Sequence, residues 1–346
     1  MIAPSPNACL TVDTAAVAAN WRRFARAGGA ASCGAAIKAD AYGLGAREIA
    51  AALIAAGCRD LFVAHWQEVA GLGTLPADVR LAVMHGVDPA DIGFALGTPA
   101  TPVLVTPAQI IAWKATGRPC DVMVDTGMNR LGIAPADAVS GLLDGLTLDT
   151  LHSHLACAED PGHPQNERQR AAFADLAARI PARRYALANS GGIGIGPGYH
   201  FTLTRPGVGL YGGGASPDGQ PLAAVASLSA RILQLRSIAA GDSVGYGATF
   251  TATRPTRLAT VALGYADGYP RSLSNRGTAR AGGVTCPLVG RVSMDMTIFD
   301  VTDAPHLEES GMLDIDFDLS TTAAASGRSE YELLTGLGAR YARVYK

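Results

Sequence analysis

Through the first two thirds of the chain, short β-prone apolar runs alternate with longer stretches whose apolar positions recur at helical spacing. The runs end near Lys38, His65, His85, Thr106, Asp125, His154, Asn189 and Arg205. Between the first two, AREIAAALIAAG gathers its apolar residues on one helical face and closes on Gly57, the residue best suited to end a helix in the left-handed conformation. CDVMVD and RYALANS each lead into a glycine-bearing turn. Eight such units predict a (β/α)8 (TIM) barrel. From about residue 222 the alternation stops: SLSARILQLRSI, RLATVALGY and GVTCPLVGRVSMDMTIFDVTD read as strands parted by Gly, Asp and Pro turns. The ending, SEYELLTGLGARYARVYK, reads as a helix and then a short strand. The pattern therefore predicts a barrel domain over 1–222 and a smaller β-rich domain over 223–346.

A length of 346 residues exceeds one typical core, in keeping with two domains. The formal net charge is −2, from 28 basic and 30 acidic residues, and no basic run stands out, which excludes nucleic acid as an expected partner. The longest apolar stretch, around Ile49–Cys58, is too short to span a bilayer, and the opening MIAPSPNACLTVD has no basic region leading into an apolar one. Cys9, Cys33, Cys58, Cys120, Cys157 and Cys286 are scattered without a CxxC pair, so reduced thiols in a cytoplasmic protein are expected, with no metal site. Cys157 lies close to His154, but no Cys–His–Asn pattern supports a nucleophile there.

Active sites of such barrels form at the C-terminal ends of the strands, where Lys38, Asp125, Arg130, His154, Asn189 and Arg205 are expected. Lys38, in AAIKADAYGLG, follows an apolar strand and precedes a flexible glycine turn. An amine held there is easier to deprotonate, as Schiff-base chemistry requires, although a lysine snorkelling at the barrel rim is the plainer alternative. Glycine turns follow the seventh and eighth expected strands, at Asn189-Ser190-Gly191-Gly192 and Arg205-Pro206-Gly207-Val208, where barrels commonly bind a phosphate. A strand-end lysine beside two such turns fits pyridoxal 5′-phosphate (PLP). Arg205 can only donate, so a pyridine nitrogen facing it stays unprotonated, which favours simple reprotonation at Cα over transamination.

IKADAYGLG, VDTGMNRLGI, HSHLACAED, ANSGGI, RPGVGLYG, VGYGATF, GYADGYPRSLSN, VGRVSMDM and EYELL, in this order from near residue 30 to the C-terminus, resemble the alanine racemase family. The resemblance implies that Lys38 carries the cofactor and serves one face of the substrate Cα, while Tyr246 serves the other. His154 would hydrogen-bond that tyrosine, Arg205 would face the pyridine nitrogen, and Arg130 would contact the cofactor phenolic oxygen and the substrate carboxylate. Tyr42, Ser190, Gly207, Val208 and Tyr331 would hold the phosphate, with Asn189 in the same cofactor turn. Met294, Asp295 and Tyr265 would lie on the substrate side. In the family, Tyr246, Tyr265 and Met294 come from the partner subunit, which implies a homodimer with shared active sites.

Three departures stand out. Met123 occupies the position where many relatives carry a lysine modified to a carbamate, Ala158-Glu159-Asp160 replaces a common A-D-E, and the acidic HLEESGMLDIDFDLSTTAAASGRS matches poorly. The nearest alternative is a broad-specificity or serine racemase of the same fold, separable by comparing turnover of alanine and serine. A decarboxylase of this fold would offer glutamate rather than Arg205 to the ring nitrogen. A non-catalytic PLP carrier would lack the second domain.

Overall fold

The computed structural model describes residues 5–346, which divide into two compact units. The first is the contiguous stretch Ala15–Ala223. Its sheet strands are β2 (Ser32–Cys33), β3 (Ala35–Ala36), β4 (Asp60–Val63), β5 (Arg80–Val83), β6 (Thr101–Leu104), β7 (Cys120–Met123), β8 (Leu148–His152), β9 (Arg184–Ala186) and β10 (Leu203–Thr204). All pair in parallel in the order β2-β10-β9-β8-β7-β6-β5-β4-β3. β2 and β3 are halves of one strand broken at Gly34, one half pairing with β10 and the other with β4, so the nine segments make eight strands and the sheet closes on itself. Gly34 is required at the break: a Cβ there would sit 2.5 Å from Phe62 Cε2 and 2.8 Å from the Asp60 carbonyl oxygen.

The expected strand ends thus stand one to three residues beyond the observed ones, on the loops that form the barrel mouth. The helix expected after the first strand spans Ala46–Ala56 and ends on Gly57 at φ 111°. Inside the barrel, Phe62, Ala82, Val103, Val105, Met123, Ala186 and Leu203 form an apolar layer. Its N-terminal end is ionic rather than apolar, because Asp60, Arg80 and Arg184 each open a strand. Arg184 bridges Asp60 and Asp149 at 2.7 Å each, and Arg80 reaches both Asp149 and Asp121.

The second unit comprises the segment through Thr14 together with Ala224–Lys346. The sequence pattern placed the N-terminal segment with the barrel, but β1 (Ala8–Val12) pairs antiparallel with β11 (Ala226–Ile238) and parallel with the C-terminal strand Ala342–Tyr345. Local alternation marks a strand without naming its partner, and the pairing of Ala8–Val12 groups residues 5–14 with the second unit. β11 is shared: its first half pairs with β1 and Met312–Ile315, and beyond an irregularity at Ile232 and Gln234 its second half pairs with Thr256–Val261. Among the described residues, no helix is long and apolar enough to cross a membrane.

Candidate active site

The chain holds only three lysines, Lys38, Lys114 and Lys346. Lys114 ends the helix Pro107–Lys114 and Lys346 ends the chain, so Lys38 is the one lysine amine at the barrel mouth. Solvent reaches its side chain, yet the surrounding protein desolvates the ammonium and Arg130 and Arg205 repel it. Desolvation is the larger cause, and together they lower the Lys38 pKa against the opposing pull of Glu68.

Downstream of Lys38 the chain does not form a flexible glycine turn. Ala39, Asp40, Ala41 and Tyr42, none of them glycine, hold φ between 52° and 58° in a left-handed helical turn. Such a turn costs L-residues roughly 1–2 kcal/mol each and persists only where its surroundings over-determine it. Here the Ala41 N–H donates to the Ile37 carbonyl (2.9 Å) and that of Gly45 to the Asp40 carbonyl (2.9 Å). The Asp40 carboxylate accepts from the Ala46 N–H at 2.7 Å. Glu68 braces the turn from the next unit: Oε1 accepts from Ala39 (2.5 Å), and Oε2 accepts from Ala64 (2.5 Å) and His65 (3.3 Å). Sequence reasoning did not single out Glu68, whose place at the third position of the helix Trp66–Gly71 reads as an ordinary capping residue.

The turn delivers Tyr42 to the loop after the neighbouring strand β10, where its buried ring lies 4.7 Å from that of Tyr211. Burial pushes the Tyr42 phenol up to about 12, so it is a neutral donor at physiological pH. Its hydroxyl is so close to Gly207 that a Cβ there would collide with it. The Ser190 Oγ accepts from the backbone N–H of Gly207 (2.9 Å) and Gly209 (3.3 Å). The short helix Val208–Tyr211 starts at this point. Tyr42, Ser190, Gly207 and Val208 thus converge as a pocket of hydroxyls and backbone amides that only a residue without a side chain lets close, which fits a phosphate. Asn189 serves the same turn differently, its Oδ1 accepting from the Gly192 N–H at 2.9 Å as the cap of Ser190–Ile195.

Arg205 is buried on the inner wall. Its Nη1 donates to the Ala186 carbonyl (2.8 Å) and to His152 Nδ1 (3.1 Å), and its Nη2 donates to the Ser153 carbonyl (2.7 Å). Burial lowers its pKa to about 10, still far above neutrality, so it remains a charged donor. The Nε–H and the second Nη2–H find no acceptor among the described residues, which fits an accepting ring nitrogen. His154 is half-buried, and desolvation first, then the charges of Arg205, Arg130 and Lys38, push its pKa down to about 3. It is therefore a neutral imidazole beside three cations. His65 and His85, also at the mouth, face each other with ring centroids 5.6 Å apart.

Arg130 is exposed, and its loop is organised by Asp125. Asp125 Oδ1 accepts from Gly127 and Met128 (2.8 Å each), and Oδ2 accepts from the Arg130 N–H (3.0 Å). These bonds hold the Asp125 carboxyl below its usual range despite partial desolvation. Met123 packs in the apolar layer of the barrel and offers Arg130 no charge, and the Arg130 backbone is fixed through Asp125.

The remaining expected residues belong to the second unit. Tyr246 lies in the turn Tyr246–Ala248 and is 73% exposed, so it is not part of the core. The Tyr265 N–H donates to the Ser293 carbonyl (3.0 Å) and that of Ala266 to the Met294 carbonyl (2.9 Å), so Tyr265, Met294 and Asp295 share one surface. Arg340 joins Asp295 and Asp267 at 2.7 Å each. Tyr331 sits on the capped helix Glu330–Thr335.

Known proteins match this chain throughout. The family model of the alanine racemase N-terminal domain matches residues 12–215, and that of the C-terminal domain matches residues 225–345. The alanine racemase of Acidiphilium cryptum is 45% identical over 97% of this chain and 98% of its own, and that of Rhodospirillum rubrum is 46% identical over 98% and 96%. The crystal structure of alanine racemase from Bartonella henselae with covalently bound pyridoxal phosphate superposes with a TM-score of 0.90 at 37% identity, covering 99% of this chain and 100% of that one. A barrel with one lysine amine at its mouth, matched along both domains, leads to one assignment: the chain belongs to the alanine racemase family.

Proposed function

We propose that the chain interconverts L- and D-alanine with PLP held in the barrel mouth, Lys38 and Tyr246 acting as the two acid–base groups. The observation that carries this reading is Lys38, the lysine amine at the mouth, desolvated and set among Arg130, His154 and Arg205. PLP would supply an electrophilic aldehyde and a conjugated ring that acidifies the substrate Cα–H. Tyr42, Ser190 and the amides of Gly207 and Val208 would hold its phosphate, with Tyr331 completing that set, and Asn189 would fix the turn. Arg205 would donate to the ring nitrogen, and Arg130 would hold the phenolic oxygen and the substrate carboxylate. Inverting Cα requires a proton acceptor on one face and a donor on the other, and one lysine cannot reach both faces. His154, kept neutral, would donate a ring N–H to the Tyr246 phenolate and so favour its ionisation.

The test is circular dichroism of L-alanine incubated with the PLP-loaded protein. The signal is expected to decay to zero, and faster than that of L-serine; a signal that persists would overturn the reading, and equal rates would favour the broad-specificity alternative.

We also propose a homodimer with shared sites, because Tyr246, Tyr265 and Met294 are more than two fifths exposed on one chain, unusual for large side chains with only a packing role. Met294, Asp295 and Tyr265 would then line the substrate side of the partner's site. Lys38→Ala and Tyr246→Phe are expected to complement each other: each homodimer is impaired at both sites, whereas random subunit exchange restores about a quarter of all sites through the two-fold symmetry. Activity after mixing is compared with the sum of the separate variants. No recovery in verified heterodimers would mean that both residues act within one chain. We place the protein in the cytoplasm, since all six cysteines are unpaired, most of them buried.

A further inference from the structure

Behind Arg205 runs a chain of buried polar groups that the racemisation itself does not use. Arg205 Nη1 donates to His152 Nδ1 at 3.1 Å, and His152 Nε2 meets Asp121 Oδ2 at 2.9 Å. Asp121 Oδ1 accepts from the Thr150 N–H (3.0 Å) and from Arg80 Nη2. His152 and Asp121 are fully buried, and the His152 ring meets that of Phe62 edge-on at 6.1 Å.

The donor chemistry fixes every proton in this chain. An arginine has no lone pair to offer, so His152 Nδ1 must be bare and its proton must sit on Nε2, donated to the Asp121 carboxylate. Burial, which outweighs Asp121, pushes His152 down to about 4 and keeps it a neutral imidazole with this single tautomer. Burial also opposes ionisation of Asp121, but Arg80 and His152 outweigh it and hold the carboxyl low.

We infer that His152 and Asp121 are positioning residues for Arg205: the Asp121-locked imidazole takes one Nη1 hydrogen and so sets the rotation of the guanidinium that leaves Nε–H and one Nη2–H for the cofactor's ring nitrogen. The Ala186 and Ser153 carbonyls take the other two bonds, but backbone carbonyls on adjacent strands accept over a broad range of angles. A ring nitrogen clamped on its far side by a carboxylate offers one direction. The inference rests on the racemase reading, in which Arg205 faces that nitrogen.

The test uses holoenzyme loaded with cofactor labelled with 15N in the ring. His152→Phe fills the space without accepting a bond, and His152→Gln keeps an amide oxygen to accept from Arg205 and an amide N–H for Asp121. In His152→Phe the ring-nitrogen resonance is expected to move off its wild-type position, and side transamination per racemisation to rise about tenfold, as loss of a hydrogen bond from a charged donor implies. His152→Gln is expected to return both toward wild type. If His152→Phe folds with lower thermal stability while resonance and partition stay at wild-type values, His152 is structural only and the inference is wrong. Should His152→Phe fail to fold, a wild-type resonance and partition in Asp121→Asn would overturn it, since that substitution removes the charge that locks the tautomer. Failure of the wild type to racemise alanine at all would fall on the racemase reading instead.

Discussion

Lys38→Ala, loaded with PLP, is expected to lose racemisation by about 10⁴-fold or more, the upper range for a proton-transferring side chain, and to lose the visible band of lysine-bound cofactor with it. Both losses follow from the scarcity of amines. Lys114 closes a helix on the barrel's flank and Lys346 ends the chain, so no other lysine can take over at the mouth. The fold should survive, because Lys38 is open to solvent and the left-handed turn after it is held by Glu68, Asp40 and backbone amides rather than by the ammonium. The spectrum and the alanine dichroism are read on the same sample. A band of wild-type shape in the variant would remove Lys38 from its assigned role, whatever the activity.

Arg205→Glu is expected to slow racemisation on the order of 10²-fold, comparable to removing a preorganised donor, and to raise the share of side transamination. A carboxylate facing the pyridine nitrogen lets it protonate, and the stronger electron withdrawal that results opens routes that a neutral ring disfavours. The same substitution puts a second carboxylate across His152 from Asp121, so that the imidazole Nδ1 would face an acceptor instead of the Nη1 donor it meets now. Breaking a buried charge network of this kind costs about 3–5 kcal/mol, so the melting temperature should fall by several degrees. The ratio of transamination to racemisation separates the effects: an unchanged ratio with a lower melting temperature would mean that Arg205 stabilises the barrel but does not face the ring.

The strand ends were legible because barrel strands buried on both sides read as apolar runs, and the polar residues that stop them are the ones the mouth uses. Lys38, Arg205, Ser190 and Gly207 could be named for that reason. What sequence did not reveal depends on partners far along the chain. Nothing local to KADAY announces four left-handed residues in a row, since the turn is imposed by Glu68, about thirty positions on. Met123 could be marked as a departure, but that it packs in an apolar layer while Asp125 holds the Arg130 loop needed the strands in place. His152 was overlooked beside His154, although the two lie on the same side of one extended segment. A signal existed: Asp121, two residues before Met123 in a fully buried strand, is a charge that must find a partner inside.

β1 precedes the whole barrel in sequence, yet its neighbours, β11 and the strand Ala342–Tyr345, both follow it. Ala15–Ala223, the whole barrel, is made in between and can close while β1 still waits for both partners. Synthesis thus imposes an order that the finished molecule conceals: barrel first, then the sheet whose strands flank it in sequence. Four pairs of that sheet, Cys9 with Ala342 through Val12 with Tyr345, form only once residue 345 has been synthesised. A chain cut before Ala342 would keep a complete barrel while leaving one side of β1 unpaired, an open edge of the kind that recruits other chains.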